Sequence, residues 1–110
     1  MTTGLDEYQT QAMRCHVPDP IRLPAYGLGL TGEAGEVADL IKKHIGHGHE
    51  LDVGKLKLEL GDVLWYVTGL AQVLGLTLSE IAQANINKLE RRYPAGWDPE
   101  RSKNRATDDV

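Results

Sequence analysis

Two four-residue phrases hold the acids best placed to act together: Glu33-Ala34-Gly35-Glu36 and Glu59-Leu60-Gly61-Asp62. Both read Glu-x-Gly-acid, and both lie within stretches of helical periodicity. On a helix, residues i and i+3 project from nearly the same side, so each phrase aims two carboxylates at one place. Two such helices packed side by side would gather four carboxylates. Like charges that close do not all stay ionised without a neutralising cation. Donors that are all oxygen favour a hard divalent ion, Mg²⁺ foremost. Each internal Gly costs roughly 1 kcal/mol against Ala in a helix interior. That cost implies close approach, by the other helix or by a ligand. One Glu-x-x-Glu alone is most often a solvated face. The doubling, with Leu, Val and Ile around both phrases, tips the reading to a metal site.

Four helices are needed to position these acids. The first spans Leu5 to His16, with Leu5, Tyr8, Ala12 and Met13 on one face and Gln9 and Gln11 beside it. Pro18, Pro20 and Pro24 break any helix, so Val17 to Leu23 reads as a loop. The second helix runs from Ala25 to about His44 on the stripe Leu30, Ala34, Val37, Ile41 and Ile45. Glu33 and Glu36 flank that stripe, Lys42, Lys43 and His44 suit its last turn, and Gly46 and Gly48 stop it. Asp52 is the expected N-cap of a third helix reaching about Leu74. Its main stripe is Leu56, Leu60, Val63, Val67, Leu70 and Leu74, with Leu58, Leu64, Trp65, Ala71 and Val73 on other sides. A helix apolar nearly all round is buried nearly all round, and a chain this short has little material to surround it. A homo-oligomer, at least a dimer, is therefore expected. Glu59, Asp62 and Tyr66 form one polar strip through this helix. Thr77 and Glu80 make a capping-box pattern for a fourth helix to about Arg92, with Leu78, Ile81, Ala82, Ile86 and Leu89 as its stripe. Asn85 falls on that stripe and Lys88 on its edge. No β-alternation is visible, so the fold class is all-α.

Composition bounds the function. The 110 residues suffice for one domain with a modest core, and 41% apolar content excludes a disordered chain. A net charge of −4 argues against a nucleic acid polymer as partner. The single cysteine, Cys15, permits no internal disulfide and fits a cytoplasmic protein. Residues Thr2, Thr3, Gly4, Asp6 and Glu7 are no secretory leader, and no apolar run is long enough for a bilayer, so no membrane role is expected. The expected division is a domain over 1–97 and a polar tail over 98–110 carrying Arg101, Lys103 and Arg105.

Two motifs are set aside. Gly27-Leu28-Gly29-Leu30-Thr31-Gly32 matches G-x-G-x-x-G literally, but prolines and no strand precede it, so a dinucleotide fold is not indicated. His44, His47 and His49 lie around a Gly-rich loop without Cys or His-x3-His spacing, and read as a solvated loop rather than a zinc site.

Three stretches together carry a family resemblance: Leu30-Thr31-Gly32-Glu33-Ala34-Gly35-Glu36-Val37-Ala38, Glu59-Leu60-Gly61-Asp62-Val63-Leu64-Trp65-Tyr66, and Asn85-Ile86-Asn87-Lys88-Leu89-Glu90-Arg91-Arg92-Tyr93-Pro94. They resemble the MazG-like nucleoside triphosphate pyrophosphohydrolases. The resemblance covers about Leu5 to Trp97. It implies a four-helix bundle completed by homo-oligomerisation, as a dimer or tetramer. It also implies Mg²⁺-dependent cleavage of a (d)NTP to the monophosphate and pyrophosphate, with Mn²⁺ as a substitute. Glu33, Glu36, Glu59 and Asp62 match the family's metal-binding acids, and Tyr66, Asn85 and Lys88 match positions that contact nucleotide or phosphates. Many members carry an extra acid directly before the first matched Glu, and here that place is Gly32. Glu36 then becomes the expected residue for positioning or deprotonating the attacking water. Two rival readings stand beside this one. The first is a non-catalytic helical dimerisation or regulatory module holding a structural ion. The second is a phosphoribosyl-ATP pyrophosphohydrolase, against which the Arg-Tyr-Pro-x-Gly ending argues.

Overall fold

The computed structural model describes residues 3–105. It contains α1 (Leu5–Ala12), α2 (Arg22–His47), α3 (Val53–Val73), α4 (Leu78–Arg92) and α5 (Pro99–Lys103), with a 3₁₀ turn, Met13–Cys15, extending α1. No strand occurs among the described residues, as the all-α reading expects. No single helix among them is long and apolar enough to cross a membrane.

Local chemistry sets most of the helix ends. The Asp52 carboxylate accepts the Lys55 N–H at 3.0 Å and starts α3. Thr77 and Glu80 form the reciprocal capping box of α4. At the end of α3, Gly75 turns left-handed at φ 72°, Leu76 N–H donates to the Ala71 carbonyl and Gly75 N–H to that of Gln72. This is a Schellman stop. Both ends of α2 differ from expectation: it continues through Gly46 to His47, with Gly48 alone as its left-handed stop, and it begins at Arg22 and includes Pro24. The first N–H groups of a helix have no intrahelical acceptor, so proline there removes no bond.

The fold rests on α2 against α3. The two helices run antiparallel with two interlocking contacts. The Tyr26 ring of α2 lies on the backbone of Gly69, and the Tyr66 ring of α3 lies on the backbone of Gly29, each filling the place a Cβ would need. Tyr26 is fully buried. Its hydroxyl meets His16 Nδ1 at 2.5 Å and accepts the Val17 N–H at 2.8 Å. Its ring meets Trp65 edge-on at 5.3 Å and Tyr66 at 6.2 Å. Of the two partners expected at Gly35 and Gly61, the other helix is not the one: both glycines face open space. The approach is made at Gly29, inside the set-aside G-x-G-x-x-G match, and at Gly69.

A second tie comes from α1. The buried Gln9 side chain accepts the Leu78 N–H at 2.8 Å and donates to the Leu76 carbonyl and the Gln72 side chain, both at 3.0 Å. Asp6 accepts the Ser79 N–H at 3.1 Å. Side chains of α1 thus satisfy the first two amide groups of α4. The sequence stripe placed Gln9 at the side of that face, whereas it sits at its centre. This clamp holds α4 at 101° to α3, and α4 packs chiefly on α1.

The expected apolar stripes are only partly covered. Leu30, Val37, Val63, Val67 and Leu70 are half-buried, while Ala34, Ile41, Ile45, Leu60, Leu74, Ile86 and Leu89 are exposed. Leu28 and Ile45 are each 77% exposed and Leu58 72%. The fully buried apolar residues are Tyr26, Ala71 and Leu78. The radius of gyration, 16.9 Å, exceeds the roughly 13 Å of a compact chain of this length.

The stretch after residue 97, expected as a polar tail, contains α5. Asp98 caps it through the Glu100 N–H at 2.9 Å, and Arg101 donates to the Arg92 and Arg91 carbonyls that end α4. Residues 106–110 of the expected tail lie outside the described residues.

Two outcomes test this packing by denaturant unfolding. Gly69→Ala should destabilise by about 1–3 kcal/mol through overpacking against Tyr26, whereas Gly35→Ala should cost nothing and gain up to about 1 kcal/mol of helix propensity. Gln9→Ala should cost about 2 kcal/mol or more, since it strands the Leu78 N–H and the Leu76 carbonyl.

Candidate functional site

The α2–α3 register that seats Tyr26 on Gly69 and Tyr66 on Gly29 continues down both helices. One turn further it brings Glu33 to Asp62, and the next brings Glu36 to Glu59. Glu33, Glu59 and Asp62 each offer a carboxylate oxygen, and these atoms lie within 4.8 Å of one another. Glu36 stands beside them, close enough to Glu59 to raise its pKa. The four acids of the two phrases therefore form one cluster between the two longest helices.

The electrostatics are those of a site short of positive charge. Oε2 of Glu33 and Oε2 of Glu59 are buried without a hydrogen-bond partner. Such atoms are costly unless a cation or donor reaches them. The hydrogen bond and charge of Glu36, with partial burial and the charge of Asp62, raise the pKa of Glu59 above the ordinary carboxylate range; Lys55 pulls the other way. Two orphaned carboxylate oxygens within an oxygen-only cluster fit a hard divalent cation. No histidine joins a group that could hold a metal among the described residues. His44 Nδ1 bonds the His49 carbonyl oxygen at 2.8 Å, and His47 is exposed.

The other expected site residues divide into two sets. Tyr66 is next to the acids, with its ring wedged on Gly29 and edge-on to Trp65 at 5.1 Å. Asn85 is exposed and Lys88 half-buried, both on α4. Because α4 packs on α1, one chain does not bring these two to the acids. Asn85 is accordingly no buried polar residue of a core.

Tyr8 and Lys55 matter more than their sequence signals implied. The Tyr8 hydroxyl hydrogen-bonds Thr68 and feels the charge of Asp62, and burial pushes its pKa up. That contact needs α1 folded onto α3, which no spacing rule reveals. Trp65 donates its indole N–H to the Ala12 carbonyl at 3.3 Å and anchors the end of α1. Trp97 is 73% exposed. Lys55 lies one turn before Glu59 on the same face of α3, a spacing readable in advance.

Glu59→Gln should raise the melting temperature of the metal-free protein at pH 8, because it removes a charge repelled by Glu36 and Asp62. The sign follows from the raised pKa. Above it Glu59 is ionised and repelled, and below it Glu59 is already neutral. The gain should therefore shrink as pH falls through that pKa, as thermal unfolding across pH will report.

The family model of the MazG nucleotide pyrophosphohydrolase domain matches residues 23–97. "Gene 37 protein" of Mycobacterium phage L5 is 44% identical over 73 residues, covering 63% of this chain and 64% of that protein. The chain thus spans just under two thirds of that relative's length. No solved structure matches. The matched segment contains α2 from its second residue and all of α3 and α4, and with them the four clustered acids. By that match the chain belongs to the MazG nucleotide pyrophosphohydrolase family.

Proposed function

We propose that this protein hydrolyses a nucleoside triphosphate, a deoxynucleotide or a non-standard one, to the monophosphate and pyrophosphate, with Mg²⁺ as cofactor. The observation that carries this reading is the pair of buried, unpartnered carboxylate oxygens on Glu33 and Glu59 within a four-acid cluster. Glu33, Glu59 and Asp62, with Glu36 beside Glu59, would hold the divalent ion. When bound, such an ion neutralises carboxylates and polyphosphate against each other and acidifies water.

The residues supply the rest. The oxygen of the attacking water bonds to the α-phosphorus, and the bond from that phosphorus to the α,β-bridging oxygen breaks. Pyrophosphate leaves with the bridging oxygen. Glu36, exposed at the edge of the cluster, takes the proton lost by the water, in the role that an acid at position 32 plays elsewhere in the family. Tyr66 orders the sugar or phosphates beside it.

Asn85 and Lys88 are assigned to the substrate through a homodimer or tetramer. The exposed apolar faces of α2 and α3 call for a second copy. α4 lies along neither helix in its own chain, and so is the element placed to serve a neighbour. There Asn85 would hydrogen-bond base or sugar and Lys88 would neutralise the departing pyrophosphate. The working place is the cytoplasmic nucleotide pool, as a house-cleaning enzyme; the domain is taken as residues 1–97.

A panel of standard and modified (d)NTPs with Mg²⁺ or Mn²⁺, read as pyrophosphate against orthophosphate, tests the proposal. Pyrophosphate release is expected. Glu59→Ala and Asp62→Ala should each reduce it to background while circular dichroism stays helical; near-normal turnover in either would refute the assignment. Binding of Mg²⁺ and nucleotide without any pyrophosphate release would instead identify a regulatory module.

A further inference from the structure

The acid cluster occupies only part of the α2–α3 seam. Alongside Glu36 and Glu59, which both line it, the helices leave an open cleft of about 430 Å³, with Gly32, Gly35 and Asp39 on the α2 wall and Lys55 on the α3 wall. It runs on into a second hollow of about 340 Å³ toward the α2–α3 connection. Leu40, Lys43 and Lys55 border both. A Cβ on Gly32 or Gly35 would meet nothing, so the backbone there is open to a bulky anion.

Three carboxylates line this cleft, Glu36 and Glu59 of the acid cluster and Asp39, so a polyphosphate enters it only with the divalent ion in place; two lysines, one from each helix, also face it, and they differ in their engagements. The Lys43 ammonium is paired with Asp39 at 2.9 Å. Lys55 makes no ion pair within 4.0 Å among the described residues, yet its charge is felt at Glu59. The nearby Asp52 is occupied in capping the Lys55 backbone N–H. The opposite end of the seam offers no comparable cation. It is filled by Tyr26, Tyr66 and Trp65, and Arg22 beyond them is bound to Asp19 and to the Val17 carbonyl. Within one chain, a triphosphate with its α-phosphorus at the acids has one cationic direction along the seam in which to extend.

We propose that Lys55, assisted by Lys43 across the cleft, binds the β- and γ-phosphates of the substrate, and so holds the pyrophosphate product. The triphosphate tail then points to the α2–α3 connection and the nucleoside toward the aromatic end of the seam. The assignment rests on the proposed hydrolysis for its substrate, but the site can be tested apart from turnover.

The experiment compares wild type, Lys55→Met and Lys55→Arg. Calorimetry measures inorganic pyrophosphate binding with Mg²⁺ present, and steady-state kinetics measures inhibition by pyrophosphate and by nucleoside monophosphate. Lys55→Met should weaken pyrophosphate binding and inhibition about tenfold, the scale of one charge-assisted contact. Monophosphate inhibition should not change, and Lys55→Arg should restore most of the loss. A lysine that merely neutralises Glu59 would alter metal affinity and would not split the two products. Equal pyrophosphate affinity in wild type and Lys55→Met overturns the inference, as does a wild type that binds no pyrophosphate. Lys55-dependent pyrophosphate binding in a protein that hydrolyses no triphosphate would uphold this site and remove the proposed activity instead.

Discussion

Four carboxylates share one seam because something other than their own attraction holds two helices together there. They repel one another, and the pKa of Glu59 is raised by proton sharing with Glu36, by burial and by the charges of Glu36 and Asp62. The opposing force is the double interlock of Tyr26 on Gly69 and Tyr66 on Gly29. Aromatic rings on bare backbone bring α2 and α3 close and forbid sliding, because any shift of register drives a ring into a side chain. The acids follow in the same register one and two turns away. Packing that is apolar and rigid thus offsets an electrostatic conflict, which the proposed divalent ion and polyphosphate would resolve.

The rest of the chain serves this pair of helices sparingly. α1 closes one flank, with Tyr8 near Asp62 and Trp65 holding its end. α4 is directed by Gln9 and Asp6 away from the seam, and α5 braces its end through Arg101. What remains uncovered is apolar and concentrated on α2 and α3. A monomer of this form keeps large side chains such as Leu28 and Leu58 in water, which accords with the proposed second copy.

Much of this was legible from residue types. Asp52, Thr77 and Glu80 announced helix starts through their own hydrogen bonds, which are local and need no knowledge of the fold. The spacing within each acidic phrase announced a shared face. What could not be read was which faces meet. Periodicity marked the leucine and isoleucine stripes as the core, yet the inter-helix seam is built largely on tyrosine, glycine and acid. A stripe reports that some neighbour is required, and not that it belongs to the same chain. The glycines were ambiguous for a related reason. Gly29, Gly35, Gly61 and Gly69 look alike in sequence, and only the opposing side chain separates the two that are filled from the two that are open. Gln9 was hidden because its partners lie as far as 69 residues away. Pro24 was misjudged by a rule valid for helix interiors and not for first turns.

The Gln9 clamp also orders events in time. The α2–α3 hairpin joins neighbours across a short connection, and loops of that size close quickly. Gln9 must wait for Leu76 and Leu78 to be in place before its amide has anything to grip. The grip of α1 on the start of α4 therefore waits for the turn that ends α3. Until α1 docks, Asp62 lacks the Tyr8 flank, and the acid seam is a half-built structure open to water on one side.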